Sequence, residues 1–280
     1  MTRETVAGTT PMDVSRFFQP DLLSGRVALV TGGGTGIGLV AARALGQVGA
    51  KVVVASRNLE RLREAATALC AEGIDCAARE VNIRDADMVE RVFEDVVAEC
   101  GGLDVLVNNA GGQFVAPAER ITQNGWRSVI DLNLNGTFYC ASAAARRMIE
   151  RGTGGKIVNI VASFADRSSA GMAHSGAARA GVVHLTRTLA REWAPFQISV
   201  NALGPQLLTE AARDAYGEGG VAYVAAATPQ QRWARDDEVG SWIVALCSPF
   251  ADYLTGAVLP LDGGNAAGEG LGFRGGLFPG

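Results

Sequence analysis

The apolar run Val27-Ala-Leu-Val30 leads directly into Thr31-Gly-Gly-Gly-Thr-Gly-Ile-Gly38, and a helical pattern follows from Leu39 to Gly46. A short, wholly apolar run is a strand buried on both faces, so the glycine-rich stretch must turn the chain into the helix. The first turn of a helix carries N–H groups with no intrahelical partner and the positive end of the helix dipole, and both attract an anion. Glycines at 32, 36 and 38 let the turn close, let backbone approach a pyrophosphate and let the helix pack on the sheet. Gly32, Gly34, Thr35, Gly36, Ile37 and Gly38 are therefore candidate phosphate-binding residues, against the alternative of a purely structural turn.

From Leu22 onward strand-like and helix-like patterns alternate. Apolar runs fall at 27–30, 52–55, 103–107, 157–162 and 198–203, with helical periods such as Val89/Val92/Phe93/Val96/Val97 between them. Strands apolar on both sides and separated by amphipathic helices predict an α/β fold: a single-domain, Rossmann-type, doubly wound parallel sheet with helices on both faces. The expected organisation is an N-terminal arm over 1–21, the α/β domain over 22–264 and a Gly-rich tail over 265–280. Residues 207–235 break the alternation after the sixth strand and read as a lid over the substrate.

Composition removes several classes of function. The chain has 280 residues, a net charge of −4 and no block of Lys or Arg, which argues against a nucleic-acid or anionic-membrane partner. No apolar run approaches the ~18 residues of a membrane span, and Met1 to Pro20 lacks the apolar core of an export signal. Five cysteines without paired motif spacing read as reduced thiols of a cytoplasmic protein, and two histidines exclude a His-rich metal site.

The second strand ends in Ala55-Ser56-Arg57. A carboxylate there accepts from the ribose 2′-hydroxyl of NAD; a small hydroxyl followed by a guanidinium suits a 2′-phosphate instead, so Ser56 and Arg57 favour NADP(H). Asn108-Asn109-Ala110-Gly111 follows the strand Val105-Leu-Val107, where ligands sit in open sheets.

With these motifs, Asp131-Leu-Asn133, the strand ending at Ser163 and Asp262-Gly-Gly264, residues 22–264 resemble the short-chain dehydrogenase/reductases. The resemblance implies a dinucleotide pocket that includes Asn82, Ile83, Asn109, Ala110, Gly111 and Pro205, and a homotetramer or homodimer. It also implies an active site of Asn, Ser and a Tyr-x3-Lys pair in which the cation lowers the phenol's pKa. Asn133 and Ser163 match; the lysine position falls on Arg179 and the tyrosine position on Ser175. Arg179 can bind ribose hydroxyls and keep the positive field but cannot relay a proton, and Ser175 can donate a hydrogen bond but is no phenol. Gln206 stands where the family has glycine after Pro205, so its side chain either bonds the nicotinamide carboxamide or shifts the entry to the lid.

His174-Ser-Gly-Ala-Ala-Arg-Ala-Gly181 and Asn108-Asn-Ala-Gly-Gly-Gln-Phe114, with Pro117-Ala-Glu119 and Trp126, are similar to the peroxisomal trans-2-enoyl-CoA reductase branch. The tyrosine positions of that branch and of the related dienoyl-CoA reductases hold Val183 and Phe164 here. Reduction of an enoyl thioester asks less of a proton donor, because hydrogen bonds to the thioester oxygen stabilise the developing enolate. Ser163, Ser175 and nearby backbone N–H groups are candidate donors; His174 is either an acid or a hydrogen-bonded helix-entry residue. His184 and Tyr139 read as structural, and Tyr216 and Tyr223 in the lid are further candidate donors. The expected activity is NADPH-dependent reduction of a 2-enoyl or dienoyl acyl thioester, with acyl-CoA the expected form. The alternatives are a carbonyl reductase or alcohol dehydrogenase, and an inactive NADP-binding subunit. The final Phe278-Pro-Gly280 is not a peroxisomal address, so the resemblance to peroxisomal enzymes is no evidence of that location.

Overall fold

The computed structural model describes residues 13–162 and 170–267. Seven parallel strands form one sheet: β1 (Val27–Thr31), β2 (Lys51–Ser56), β3 (Cys76–Glu80), β4 (Val105–Asn108), β5 (Gly155–Ile160), β6 (Ile198–Pro205) and β7 (Val258–Leu261). Their order is β3-β2-β1-β4-β5-β6-β7. The chain thus winds outward from β1 in one direction and from β4 in the other. Pairing of Ala28 with Val52 and with Val105 sets β1 between its two neighbours. The carboxyl ends of β1 and β4 are the switch point, where a crevice opens in sheets of this kind.

Period-2 alternation sorts the strand residues between two cores. Ala28, Val30, Val52, Val54 and Val158 face α1 (Gly36–Gln47), α2 (Leu59–Ala71) and α8 (Asp236–Cys247). Leu29, Val53, Leu106, Ile157 and Val200 face α3 (Ala86–Cys100), α5 (Gly136–Arg151) and α6 (Ala173–Trp193). Within the second core Phe93 is fully buried, and truncating such a ring costs about 3–5 kcal/mol. Tyr139 packs against the same core as expected. Ahead of β1, Val14 is buried on the first core and its N–H donates to Gln47 Oε1 at 3.2 Å, so the described part of the arm is docked.

Two departures from regular geometry position the site. α4 (Gln123–Ile130) runs into α5 through one turn of π-helix, Asp131–Asn135, and such turns concentrate at functional sites. The 207–235 segment, expected to be a lid, contains α7 (Glu210–Ala227), kinked at Gly217, whose φ of 62° is left-handed. None of its residues is fully buried; Trp233 Nε1 donates to the Val221 carbonyl in mid-helix at 3.2 Å. Residues 1–12 of the arm and 268–280 of the tail lie outside the described residues.

Candidate functional site

A cleft of about 680 Å³ opens over the carboxyl ends of β1, β2 and β4. Gly32, Gly34, Thr35, Gly36 and Ile37 form its floor; Ser56, Arg57, Asn82 and Ile83 line one end, and Asn109, Ala110 and Gly111 the other. Gly36 has a left-handed φ of 52°, which a side chain would strain. Gly38 lies one turn into α1, buried beneath the cleft: a Cβ there would collide with the Gly32 carbonyl and stand 2.5 Å from Asn109 Nδ2. The first turn of α1 contains no acidic residue, and the Thr35 side chain makes no capping bond. Its N–H groups are thus left to a ligand. A bare backbone cradle with free donors fits a dinucleotide pyrophosphate.

The two loops over the switch point are latched together. Asn109 Nδ2 donates to the carbonyls of Thr31 (3.0 Å) and Gly32 (3.2 Å), while Thr31 Oγ1 accepts from the N–H groups of Asn109 (3.0 Å) and Ala110 (3.1 Å). Asn108 instead faces inward. Its Nδ2 donates to Asn159 Oδ1 at 3.0 Å and to the Thr137 carbonyl, and Asn159 Nδ2 donates to Thr186 Oγ1 at 2.9 Å. This buried polar chain fixes β4, β5 and α6 relative to one another. Asn109, Ala110 and Gly111, not Asn108, line the cleft.

Beyond Gly111 the active-site candidates converge. Asn133, in the π turn, accepts from Gly112 N–H at 3.2 Å and donates to the Gly112 carbonyl at 2.7 Å and the Val129 carbonyl at 2.9 Å. Arg179 Nη1 donates to the Ile160 carbonyl at 2.8 Å, and a Cβ on Gly111 would strike Arg179 Nη2 and approach Asn133 Oδ1 to 2.7 Å. Burial pulls the guanidinium down to about 10, so it stays charged at neutrality, and no carboxylate among the described residues pairs with it. Ser175 shares a face of α6 with Arg179, four residues on. Its buried Oγ donates to Gln113 Oε1 at 2.5 Å.

His174 is sealed off. Its Nδ1 accepts from Ser175 N–H at 2.7 Å, and the Phe114 ring packs edge-on at 4.3 Å. Nε2 must then carry the hydrogen, and it is buried with no hydrogen-bond partner among the described residues. Burial also lowers the pKa of the ring, so it is neutral at neutrality. This geometry fits the helix-entry alternative. His184 is exposed on α6, beside the β6–β7 edge rather than the cleft. Ser163 and Phe164 lie outside the described residues.

Pro205 is buried at the end of β6 and is not on the cleft wall. Gln206 bonds residues at the far end of the 207–235 segment. Its Nε2 donates to Thr228 Oγ1 at 2.6 Å, its Oε1 accepts from Asn265 at 3.1 Å, and its carbonyl accepts from Ala234 N–H at 3.0 Å. One buried side chain thus ties Thr228, just past the end of α7, to the end of β6.

Several residues of the site carry no sequence signal of their own. Gln113 falls within a segment that resembles the enoyl reductases, but nothing local assigns it a role. Arg61, Thr209, Glu210 and Asp214 also line the cleft; only the Arg61 spacing, four positions after Arg57 at a helix start, points to this. Among the described residues no helix is long and apolar enough to cross a membrane, and no group of three His, Cys, Asp or Glu could hold a metal.

Comparison with known proteins agrees with this geometry. A family model described as enoyl-(acyl carrier protein) reductase matches residues 32–266. The peroxisomal 2,4-dienoyl-CoA reductases of Pongo abelii and Rattus norvegicus are 38% and 36% identical to the chain, over 88% and 89% of it and 86% of each relative. A solved gluconate 5-dehydrogenase from Burkholderia cenocepacia J2315, in complex with NADP and tartrate, superposes with a TM-score of 0.85 at 32% identity, covering 89% of this chain and 98% of that one. The latched glycine turn, the switch-point cleft and these matches have one meaning: the chain is an oxidoreductase of the short-chain dehydrogenase/reductase family.

Proposed function

We propose that the protein reduces the carbon–carbon double bond of a 2-enoyl or dienoyl acyl thioester, an acyl-CoA, with NADPH. The observation that carries this reading is the Ser175–Gln113 pair. Ser175 spends its single hydroxyl hydrogen on Gln113 Oε1, which orients the Gln113 amide and leaves its Nε2 donors for a ligand. A neutral amide cannot protonate an alkoxide, as ketone reduction requires, but it can hold an enolate oxygen. The similarity to dienoyl-CoA reductases supports the same chemistry.

The cofactor is NADP(H), with the pyrophosphate on the Gly32–Gly38 turn and the 2′-phosphate at Ser56 and Arg57. Bound NADPH supplies the hydride for the β-carbon. Arg179 holds the ribose hydroxyls and sets a positive field beside the reacting carbons. Asn133 fixes the Gly112 backbone, beside which the nicotinamide end of the cofactor would be held. Gln113, oriented by Ser175, donates to the thioester oxygen as negative charge gathers there. His174 positions Ser175 through its N–H, and Ser163 is assigned as a further donor. The α-carbon takes its proton from water under the lid. Five free thiols fit a reducing compartment, the cytoplasm, and the family resemblance supports a homodimer or homotetramer.

Carbonyl reduction is the second reading, favoured by the likeness to the gluconate 5-dehydrogenase structure. NADPH oxidation by the purified protein against enoyl-CoAs, ketones and aldehydes separates the two. Turnover of enoyl-CoAs with none of simple ketones supports the thioester reading; the converse overturns it.

A further inference from the structure

Arg61 sits in the first turn of α2, its N–H bonded to the Asn58 cap at 3.0 Å. Its guanidinium reaches across the mouth of the cleft to Glu210, the first residue of the lid helix, with Nη2 3.3 Å from Oε2. Asp214, one turn further along the lid, also lines the cleft. The lid therefore brings two carboxylates to a cleft built for a polyanion, and a single contact with Arg61 holds its near end to α2.

That contact is a poor match for the guanidinium. It is made through one nitrogen, and both side chains are largely exposed, at 55% and 83%; pairs of this kind are weak. A phosphate is a stronger partner, since it carries up to two charges and accepts the planar fork through two oxygens. Arg57 and Arg61 line the same end of the cleft and together supply two positive charges.

We infer that Arg61 is a second ligand of the cofactor's 2′-phosphate and changes partner to become one. Without a 2′-phosphate it pairs with Glu210 and holds the lid to α2. The 2′-phosphate takes the guanidinium, and the freed Glu210, now facing an added anion, lets the near end of the lid move. A ribose 2′-hydroxyl has no charge with which to displace Glu210, so the lid responds to NADP(H) and not to NAD(H). This inference rests on the placement of the 2′-phosphate at Arg57.

Adenosine 2′,5′-bisphosphate and AMP differ by this phosphate alone and serve as probes with the full-length protein. Arg61→Ala should weaken the bisphosphate about tenfold and leave AMP unchanged. Glu210→Gln should tighten the bisphosphate by up to about fivefold, the scale of an exposed ion pair. In the double variant most of that tightening should disappear, because Glu210 acts chiefly through Arg61 and only weakly by facing the phosphate itself. In the wild type the bisphosphate, and not AMP, should speed trypsin cleavage after Arg213 in the lid. Equal weakening of both probes by Arg61→Ala, or the same tightening by Glu210→Gln with and without Arg61, would overturn the exchange. If Arg57→Ala discriminates the probes and Arg61→Ala does not, the exchange fails while the NADP(H) site stands. If Arg57→Ala does not discriminate them, the NADP(H) placement itself fails.

Discussion

Replacing Gly111 by alanine tests the convergence of the active site on one backbone position. The added Cβ would stand 2.7 Å from Asn133 Oδ1 and collide with Arg179 Nη2. Asn133 is held by three hydrogen bonds, two to Gly112 and one to Val129, whereas Arg179 makes one among the described residues, to the Ile160 carbonyl. The arginine is therefore the side chain that yields. Losing a hydrogen bond from a charged donor costs about 1.5–3 kcal/mol. For a chain of this size that lowers the melting temperature by roughly 3–12 °C. Catalysis should suffer more, since the displaced guanidinium no longer faces the nicotinamide end, and turnover should fall more than about tenfold. Gly112→Ala is the matched control: its Cβ would meet only Leu132 Cδ2, the far end of a flexible side chain, at 3.3 Å, and it should cost less than about 1 kcal/mol. Calorimetry and steady-state kinetics on both variants read the difference. If Gly111→Ala melts and turns over like Gly112→Ala, Asn133 and Arg179 do not converge on Gly111.

Individual contacts set three further outcomes. Burial holds the pKa of His174 in the folded protein below that of the unfolded chain, so the unfolded state binds the proton first and stability drops as pH falls through about 6.5 and below. His174→Asn should lose less melting temperature between pH 7.5 and 5.5 than the wild type; equal losses would remove His174 from the acid response. Gln206→Ala deletes the bonds to Thr228 and Asn265 and should cost about 1–3 kcal/mol, seen as faster proteolysis within 207–235 at unchanged NADPH affinity; unchanged proteolysis contradicts its role as the lid's anchor. A Cβ on Gly176 in α6 would meet no described residue within 4 Å, so Gly176→Ala should raise stability by about 0.5–1 kcal/mol through helix propensity, and a lower melting temperature would contradict that opening.

The glycine turn, the strands around it and the pairing of Ser175 with Arg179 on one helix face are legible in the sequence because each is a local pattern with a short period. β7 is not among the apolar runs, since its four residues include Pro260 and are only partly buried. The π turn at Asp131–Asn135 places Asn133 against the Gly112 loop, a contact no local pattern encodes. Asn108 shows the limit of a motif: its neighbours reach the ligand's path, yet its own side chain completes a buried network with Asn159, 51 positions away. Arg61 and Glu210 are 149 positions apart, and only the folded chain shows that they meet.

The central claim is that hydride goes to a carbon–carbon double bond conjugated to a thioester. The direct measurement incubates the protein with a 2-enoyl-CoA and NADPH deuterated at the transferring position of C4, then locates the label in the product by mass spectrometry and NMR. The expected product is a saturated acyl-CoA with deuterium on the β-carbon and a solvent proton on the α-carbon. An unchanged enoyl-CoA, together with a ketone reduced to an alcohol bearing deuterium on its carbinol carbon, would contradict it.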